Sequence, residues 1–341
     1  MANIYDVANR AGVSIATVSR VLNGVEVNAS MKEAVLKAAG ALHYVPNRTA
    51  RTLRRKTSEI IAMMIPDLEN PFFTSMTKAV AERARASGYT VMLCDTDGRP
   101  DREAEYLKVA VSESVAGLII APASDAINLD EVIKRGLPVV CIDRTAPGYD
   151  LDSVVVDNVG GARRSTELLQ QAGFRHIACI SGPEHVETAD QRTAGWREAI
   201  FAAAGAAPDP DYDVRTSYSV AGGESAMAAL LDLPNPPDAV FAANNTLAVG
   251  LLRTLLAQGL MPPAYGVLAF GDLPLLTYTP LGVMVVHLPS REIGEVAADR
   301  LLERINGFDG PARHIVMPNI VTDDQSGMDL LRSAERLANS S

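Results

Sequence analysis

Arg20 closes a short run, Ser14-Ile15-Ala16-Thr17-Val18-Ser19-Arg20, whose side-chain types suit the reading of nucleic acid. A guanidinium on the outer face of a helix can make a bidentate bond to a guanine edge, and the Ala16 methyl, beside Ile15, can pack on a thymine methyl. Ser14, Thr17, Ser19 and Asn23 are short donors of the kind that hold phosphates and set register without reading sequence. A second group, Arg48, Arg51, Arg54, Arg55 and Lys56, surrounds Ala50 and Leu53, which stand three apart on one face of a helical turn. A basic turn that presents a leucine can enter a minor groove and wedge Leu53 between base pairs, and Ala50, Leu53 and Arg54 are the residues expected at the DNA. The bland readings are a solvated Arg20 and an ordinary basic linker.

Such residues need rigid elements behind them. Ile4, Val7, Ala8 and Ala11 recur at helical spacing, Gly12 supplies a turn, and Ser14 is placed to cap a second helix with Val18 and Leu22 on its inner face. This pattern predicts a helix-turn-helix. Asn28-Ala29-Ser30 opens a third helix, where Ser30 with Glu33 forms a capping box and Ala34, Val35, Ala38 and Leu42 supply the packing face. The expected organisation is an all-α headpiece over 1–46, a hinge over 47–57, a large body over 58–325 and a tail over 326–341.

Charge follows the same division. Residues 1–58 hold nine Lys or Arg against Asp6, Glu26 and Glu33, a net of +6, so the rest of the chain carries −16 of a total of −10. A basic module on an acidic body points to a polyanion partner at one end only. The 341 residues are 48% apolar without a run of about 18 apolar residues, and Met1 to Asp6 begins no export-like segment, so the expectation is a cytoplasmic protein with no membrane partner. Cys94, Cys141 and Cys179 each lie in or at the end of an apolar strand-like run and are expected to be buried thiols. The five His include no ligand-spaced pair, so neither a metal nor another cofactor is expected. Neither Gly-x-Ser-x-Gly nor Gly-x4-Gly-Lys-Ser/Thr occurs, which removes the usual grounds for an enzyme.

Beyond residue 58 the chain alternates apolar runs, at 60–65, 90–94, 117–121, 139–142, 154–156, 176–180, 239–243 and 266–270, with helical stretches such as 75–86, 103–112, 161–172 and 247–257. This rhythm predicts α/β structure with doubly wound parallel sheets, long enough for two. Ligands of such sheets sit beyond the carboxyl ends of the strands, which directs attention to 70–73, 143–144, 184–192, 244–245 and 271–272. Phe72 and Phe73 are core aromatics, or one of them stacks on a flat ligand face. Asp143, after four apolar residues, is read as a carboxylate for ligand hydroxyls in preference to a structural one. Trp196 is assigned to the core.

The runs DVANRAGVSIATVSRVLNG, PNRTARTLRRKTS and IAMMIPDLENPFF resemble the lactose/galactose repressor family in order and spacing. The likeness continues through VAGLIIAP, PVVCIDR, VVVDNVGGA, HIACISGP, QRTAGWREA, VFAANNTLAVGLL and TPLGVMVVHLP, and so covers nearly the whole chain. It implies a sensor domain of two lobes like those of periplasmic sugar-binding proteins, a ligand cleft between them, and crossovers near Asp157 and His287. The family pattern of Arg, two residues, Gly and an aromatic places Arg192 in the pocket; alignment adds Tyr218 and Thr188, the Ala-Asn-Asp position adds Asn244, and Asp272 follows the strand that ends at Phe270. Two departures stand out. Gly271 replaces the first carboxylate of a Gly-aromatic-Asp-Asp pattern, and Asn245 replaces the Asp of Ala-Asn-Asp.

The reading that results is a transcriptional regulator, in the repressor sense, which binds double-stranded operator DNA as a homodimer. Its effector is a small polar metabolite such as a sugar, sugar phosphate or nucleoside, and its tail forms no tetramer helix. Ligand closing the cleft would turn one lobe and change the order of the hinge. The competing classes are a constitutive DNA-binding protein with a degenerate pocket, for which Gly271 is the best support, and a solute-binding protein, which leaves the headpiece unexplained.

Overall fold

The computed structural model describes residues 2–22, 25–44, 58–260, 262–273 and 282–322. Asn23, Ala50, Leu53 and Arg54, with the remainder of 47–57 and the tail 326–341, lie outside the described residues. The chain divides into two compact units, Met1–Ser58 and Glu59–Ser341.

In the first unit, α1 (Ile4–Ala11) begins at Asn3, whose side chain accepts from the Asp6 N–H at 3.1 Å while the Asp6 carboxylate accepts from the Asn3 N–H at 2.8 Å. This reciprocal cap satisfies two of the donors that a helix start leaves open. Gly12 ends α1 at φ +67°, a conformation costly for other residues, and turns the chain toward α2 (Ile15–Leu22). Ser14 caps α2, its Oγ accepting from the Thr17 N–H at 3.1 Å. With α3 (Ala29–Ala41), the helices enclose Val7, Ala8, Val18, Val21, Val35, Ala38 and Ala39. Two details differ from expectation. Val21, not Leu22, is the buried residue at the end of α2, with Leu22 packed at the edge. The cap of α3 is Asn28, which accepts from the Ser30 N–H at 3.0 Å and the Ser30 hydroxyl at 2.8 Å. Ser30 is then already helical and cannot adopt the extended backbone of a cap, so its box with Glu33 does not form.

Among the described residues, the second unit holds two six-stranded sheets. The first combines β1 (Ile60–Ile65), β2 (Thr90–Asp95), β3 (Gly117–Ile120), β4 (Val139–Ile142) and β5 (Asp152–Val156) with α4 (Pro71–Ala86), α5 (Pro100–Ser112) and the short α6 (Asp130–Lys134). After Asp157 the chain enters the other lobe, with α7 (Asn158–Gln171), β6 (Ile177–Ser181), α8 (Glu187–Ala204), β7 (Asp213–Arg215), α9 (Val220–Leu231), β8 (Ala239–Ala242), α10 (Asn245–Ala257), β9 (Gly266–Phe270) and β10 (Val283–His287). It then returns through 288–289 to α11 (Ser290–Ile305) and β11 (His314–Met317) on the first sheet, and crosses once more at 318–319 to β12 (Ile320–Thr322) on the second. The orders are β11-β5-β4-β3-β1-β2 and β12-β10-β9-β8-β6-β7. All described pairings are parallel, as expected of doubly wound lobes, except β10 with β12 at the edge of the second sheet. Crossovers fall at the two expected places and at a third, 318–319, that sequence reading did not find.

These crossovers are tied together. Arg164 donates to the Asp157 carboxylate at 3.1 Å and to Asn319 Oδ1 at 2.9 Å, while Asn319 Nδ2 donates to the Asp157 carbonyl at 2.7 Å. Two of the three chain passages between the lobes, at 157 and at 318–319, are thus fastened side by side.

Each sheet is packed on both faces, which explains the near-continuous apolar strands. Cys94, Cys141 and Cys179 are buried free thiols, and burial pushes the Cys141 thiol up to about 12. Trp196 is fully buried, and its indole N–H donates to the Ile177 carbonyl at 3.1 Å. Trp196→Ala should lower stability by about 3–5 kcal/mol from cavity formation and loss of that bond, read as a shift of the urea midpoint at unchanged slope; a shift below about 1 kcal/mol would contradict this packing.

Candidate functional site

On the headpiece, Ser14, Ile15, Ala16 and Arg20 are exposed, while Thr17 and Ser19 are half-buried. Burying Val18 and Val21 inward turns Arg20, Ala16 and Ile15 to the opposite side of α2, leaving an apolar and cationic surface free for a groove. The Ser14 and Thr17 hydroxyls lie 2.9 Å apart in the cap, so part of their hydrogen-bonding capacity already serves the helix start.

Between the two sheets of the second unit lies a cleft of about 710 Å³. It opens where chain winding reverses, between β1 and β3 in one sheet and β6 and β8 in the other, so its walls are the turns that follow strands. All eight residues expected to bind effector line it: Phe72, Phe73, Asp143 and, from the other lobe, Thr188, Arg192, Tyr218, Asn244 and Asp272. Their environments divide them.

Phe73 is buried in the lobe core, while the half-buried Phe72 meets it edge-on at 5.1 Å and offers a flat face. Asn70 caps α4, accepting from the Phe72 N–H at 3.0 Å, and so aims that turn at the cleft. Asp143, at φ +65°, points its carboxylate to Arg144 Nε at 3.0 Å, both side chains being nearly fully buried. Arg144 also donates to the Pro122 carbonyl at 2.9 Å. One oxygen of Asp143 is thus already committed within the protein. Glu103 buttresses the same wall by accepting from the Ala123 N–H at 2.6 Å, and burial pushes its carboxyl above the usual range.

In the second lobe, Arg192 is buried: Nε donates to Asn158 Oδ1 at 2.8 Å, Nη1 to the Ala243 carbonyl at 2.7 Å, and the guanidinium lies 4.2 Å over the Phe270 ring. Desolvation lowers its pKa from the usual value. The buried Tyr218 hydroxyl faces Thr188 without a hydrogen bond of ordinary geometry, and burial raises its pKa, keeping it a protonated donor. Asn244 lines the cleft but spends its side chain as the cap of α10, accepting from the Leu247 N–H at 2.8 Å. Asp272 is exposed and held by the His287 ring. Gly271 sits at φ +112°, a region essentially closed to side chains, so the missing carboxylate is built into the backbone there.

Sequence reading passed over a contact across the cleft. Asn70 Nδ2 donates to Asn245 Oδ1 at 3.2 Å, and Asn245 Nδ2 donates back to Asn70 Oδ1 at 3.1 Å, forming a reciprocal amide pair between the lobes. Thr145 and Glu187 make a second bridge, the Thr145 hydroxyl donating to the Glu187 carboxylate at 2.9 Å. Among the described residues, no group of three or more His, Cys, Asp or Glu could hold a metal ion, and no helix is long and apolar enough to cross a membrane.

Residues 58–325 match the family of periplasmic binding proteins and sugar binding domain of the LacI family, and residues 3–47 match the bacterial regulatory proteins of the lacI family. The ribose operon repressor of Halalkalibacterium halodurans is 33% identical over 307 residues, covering 89% of this chain and 91% of its own. Among solved structures, the transcriptional regulator CelR–cellobiose complex is 27% identical with a TM-score of 0.71, covering 94% of this chain and 98% of that one. The lac repressor dimer bound to operator and the anti-inducer ONPF has the same fold, with 24% identity, a TM-score of 0.81 and the same coverage. The helix-turn-helix, the two-lobed unit and these likenesses together establish that the chain belongs to the lacI family of bacterial regulatory proteins: it is a DNA-binding transcriptional regulator, not an enzyme.

Proposed function

We propose that this regulator is a repressor acting as a homodimer in the bacterial cytoplasm, with an operator affinity set by a small polar metabolite bound between the lobes of 58–325. The observation that carries the reading is the cleft itself. Its walls come from both lobes, it contains the buried Arg192 and the unpartnered Tyr218 hydroxyl, and the lobes are joined by three chain passages. The cellobiose complex of CelR supports a ligand in the corresponding domain of a relative.

In this mechanism Arg20, Ile15 and Ala16 read base edges while Ser14, Thr17, Ser19 and Asn23 hold phosphates. The segment 47–57, with Ala50, Leu53 and Arg54, couples the headpiece to the lobes. Phe72, Phe73, Asp143, Thr188, Arg192, Tyr218, Asn244 and Asp272 form the effector site. Ligand acts through its different affinity for two lobe arrangements, and the Asn70–Asn245 and Thr145–Glu187 bridges belong to the arrangement described here. Selection of genomic fragments by the purified chain tests the reading: a near-palindromic site should be enriched over random duplex, as two-fold protein symmetry requires. Equal retention of all fragments would overturn it.

A further inference from the structure

Arg192 is the one cation lining the cleft that has no carboxylate partner among the described residues. Arg144 has Asp143 at 3.0 Å. Of the remaining acids, Asp97 is paired with Arg102 at 3.3 Å and Asp272 with His287, while Asp67 accepts from the Glu69 and Asn70 N–H groups at 2.8 and 3.2 Å. Arg192 spends Nε and one Nη1 hydrogen on Asn158 and Ala243, and its Nη2 makes no hydrogen bond among the described residues. Beside it the Tyr218 hydroxyl is buried with none. Gly271 cannot supply an acid, because its φ of +112° admits no side chain without strain.

A buried cation without a counter-charge is expensive, and so is a buried hydroxyl without an acceptor. Both deficits lie in one wall, and both are donors. A neutral polyol would give them oxygen lone pairs but leave the charge uncompensated. A phosphate ester, at about −1.5 to −2, brings more charge than one guanidinium balances, and Asp143 acts on the same space. A carboxylate carries one charge and two in-plane oxygens, which match the guanidinium fork and leave an acceptor for a phenol.

We propose that the effector is an organic monocarboxylate, its acid group clamped by the free Arg192 hydrogens and the Tyr218 hydroxyl, with its body against Phe72. This rests on the effector-controlled reading above and narrows the ligand to one chemical class.

The test uses the full chain and the small-molecule fraction of a host extract. Metabolites retained by the wild-type protein and by Arg192→Gln are released and identified by mass spectrometry, while operator binding is followed with and without the same fraction. A monocarboxylate retained at least about tenfold more by wild type is expected. Its methyl ester, of the same shape without charge, should bind at least about a hundredfold more weakly. Tyr218→Phe removes only an unpartnered hydroxyl, so it should melt no lower than wild type yet lose about tenfold in affinity for the acid. A retained neutral polyol or phosphate ester, retention equal in the Arg192 variant, no retained molecule, or an ester that binds as well as the acid would each overturn the proposal. If the extract still shifts operator binding in those cases, effector control stands and only the carboxylate assignment falls; if it shifts nothing, both fall.

Discussion

Arg20→Ala should leave the headpiece folded and remove most discrimination at one base pair in each operator half-site. Arg20 is exposed on α2, and the headpiece core is formed by other residues, so truncation costs little stability. A bidentate bond to guanine is worth about 1–3 kcal/mol of discrimination, which corresponds to about 5- to 150-fold in each half-site. Measured against a selected operator and its variants at that base pair, the variant protein should bind them nearly alike, while the salt dependence of binding stays close to that of wild type. Replacing a phosphate contact would do the reverse, weakening all sequences together and reducing the salt slope. Unchanged base preference in Arg20→Ala would remove α2 from its reading role.

Arg144→Met should be strongly destabilising, on the scale expected for Trp196→Ala. Its side chain and that of Asp143 are nearly fully buried in a 3.0 Å ion pair, and Arg144 also satisfies the Pro122 carbonyl. Removing one member strands the other in a low-dielectric wall, which typically costs about 3–5 kcal/mol. The double variant Asp143→Leu with Arg144→Met removes both charges and should recover a large part of the loss. Equal destabilisation in the single and double variants would mean that the pair matters through shape and not through charge.

How far the sequence disclosed this molecule depends on how local each feature is. The helix-turn-helix is legible because its turn, the Ser14 cap and the packing face all fall within residues 4–22, whereas the third helix starts from Asn28 and not from Ser30. Strands buried on both faces, such as Ile60–Ile65 and Ala239–Ala242, were legible as apolar runs. By contrast, β7 is Asp213-Val214-Arg215 with no buried member, and β11 has only three apolar residues, Ile315 to Met317, none of them fully buried, so neither stands out as a buried strand. The third crossover, which joins β11 to β12, was missed with them.

The site shows the same limit. Turns after strands could be located, and the residues chosen within them converge on one cleft. What those residues do there depends on partners far away in the chain. Asn70 and Asn245 are 175 positions apart, and nothing in either neighbourhood announces their pairing. Asp143, which lines the cleft, also accepts from Arg144 at 3.0 Å, a neighbour contact that the apolar run before it does not announce. Asn244 lines the cleft while its Oδ1 also accepts from the Leu247 N–H at the start of α10.

Fluorescence anisotropy of a labelled operator, titrated with wild type and with Arg192→Gln in the presence and absence of the extract's small-molecule fraction, bears most directly on whether occupancy of the cleft governs DNA binding. Both proteins should bind the operator alike without the fraction, and only the wild type should change affinity, by about tenfold or more, when it is added. An equal change in both proteins, or no change in either, would contradict control through this cleft.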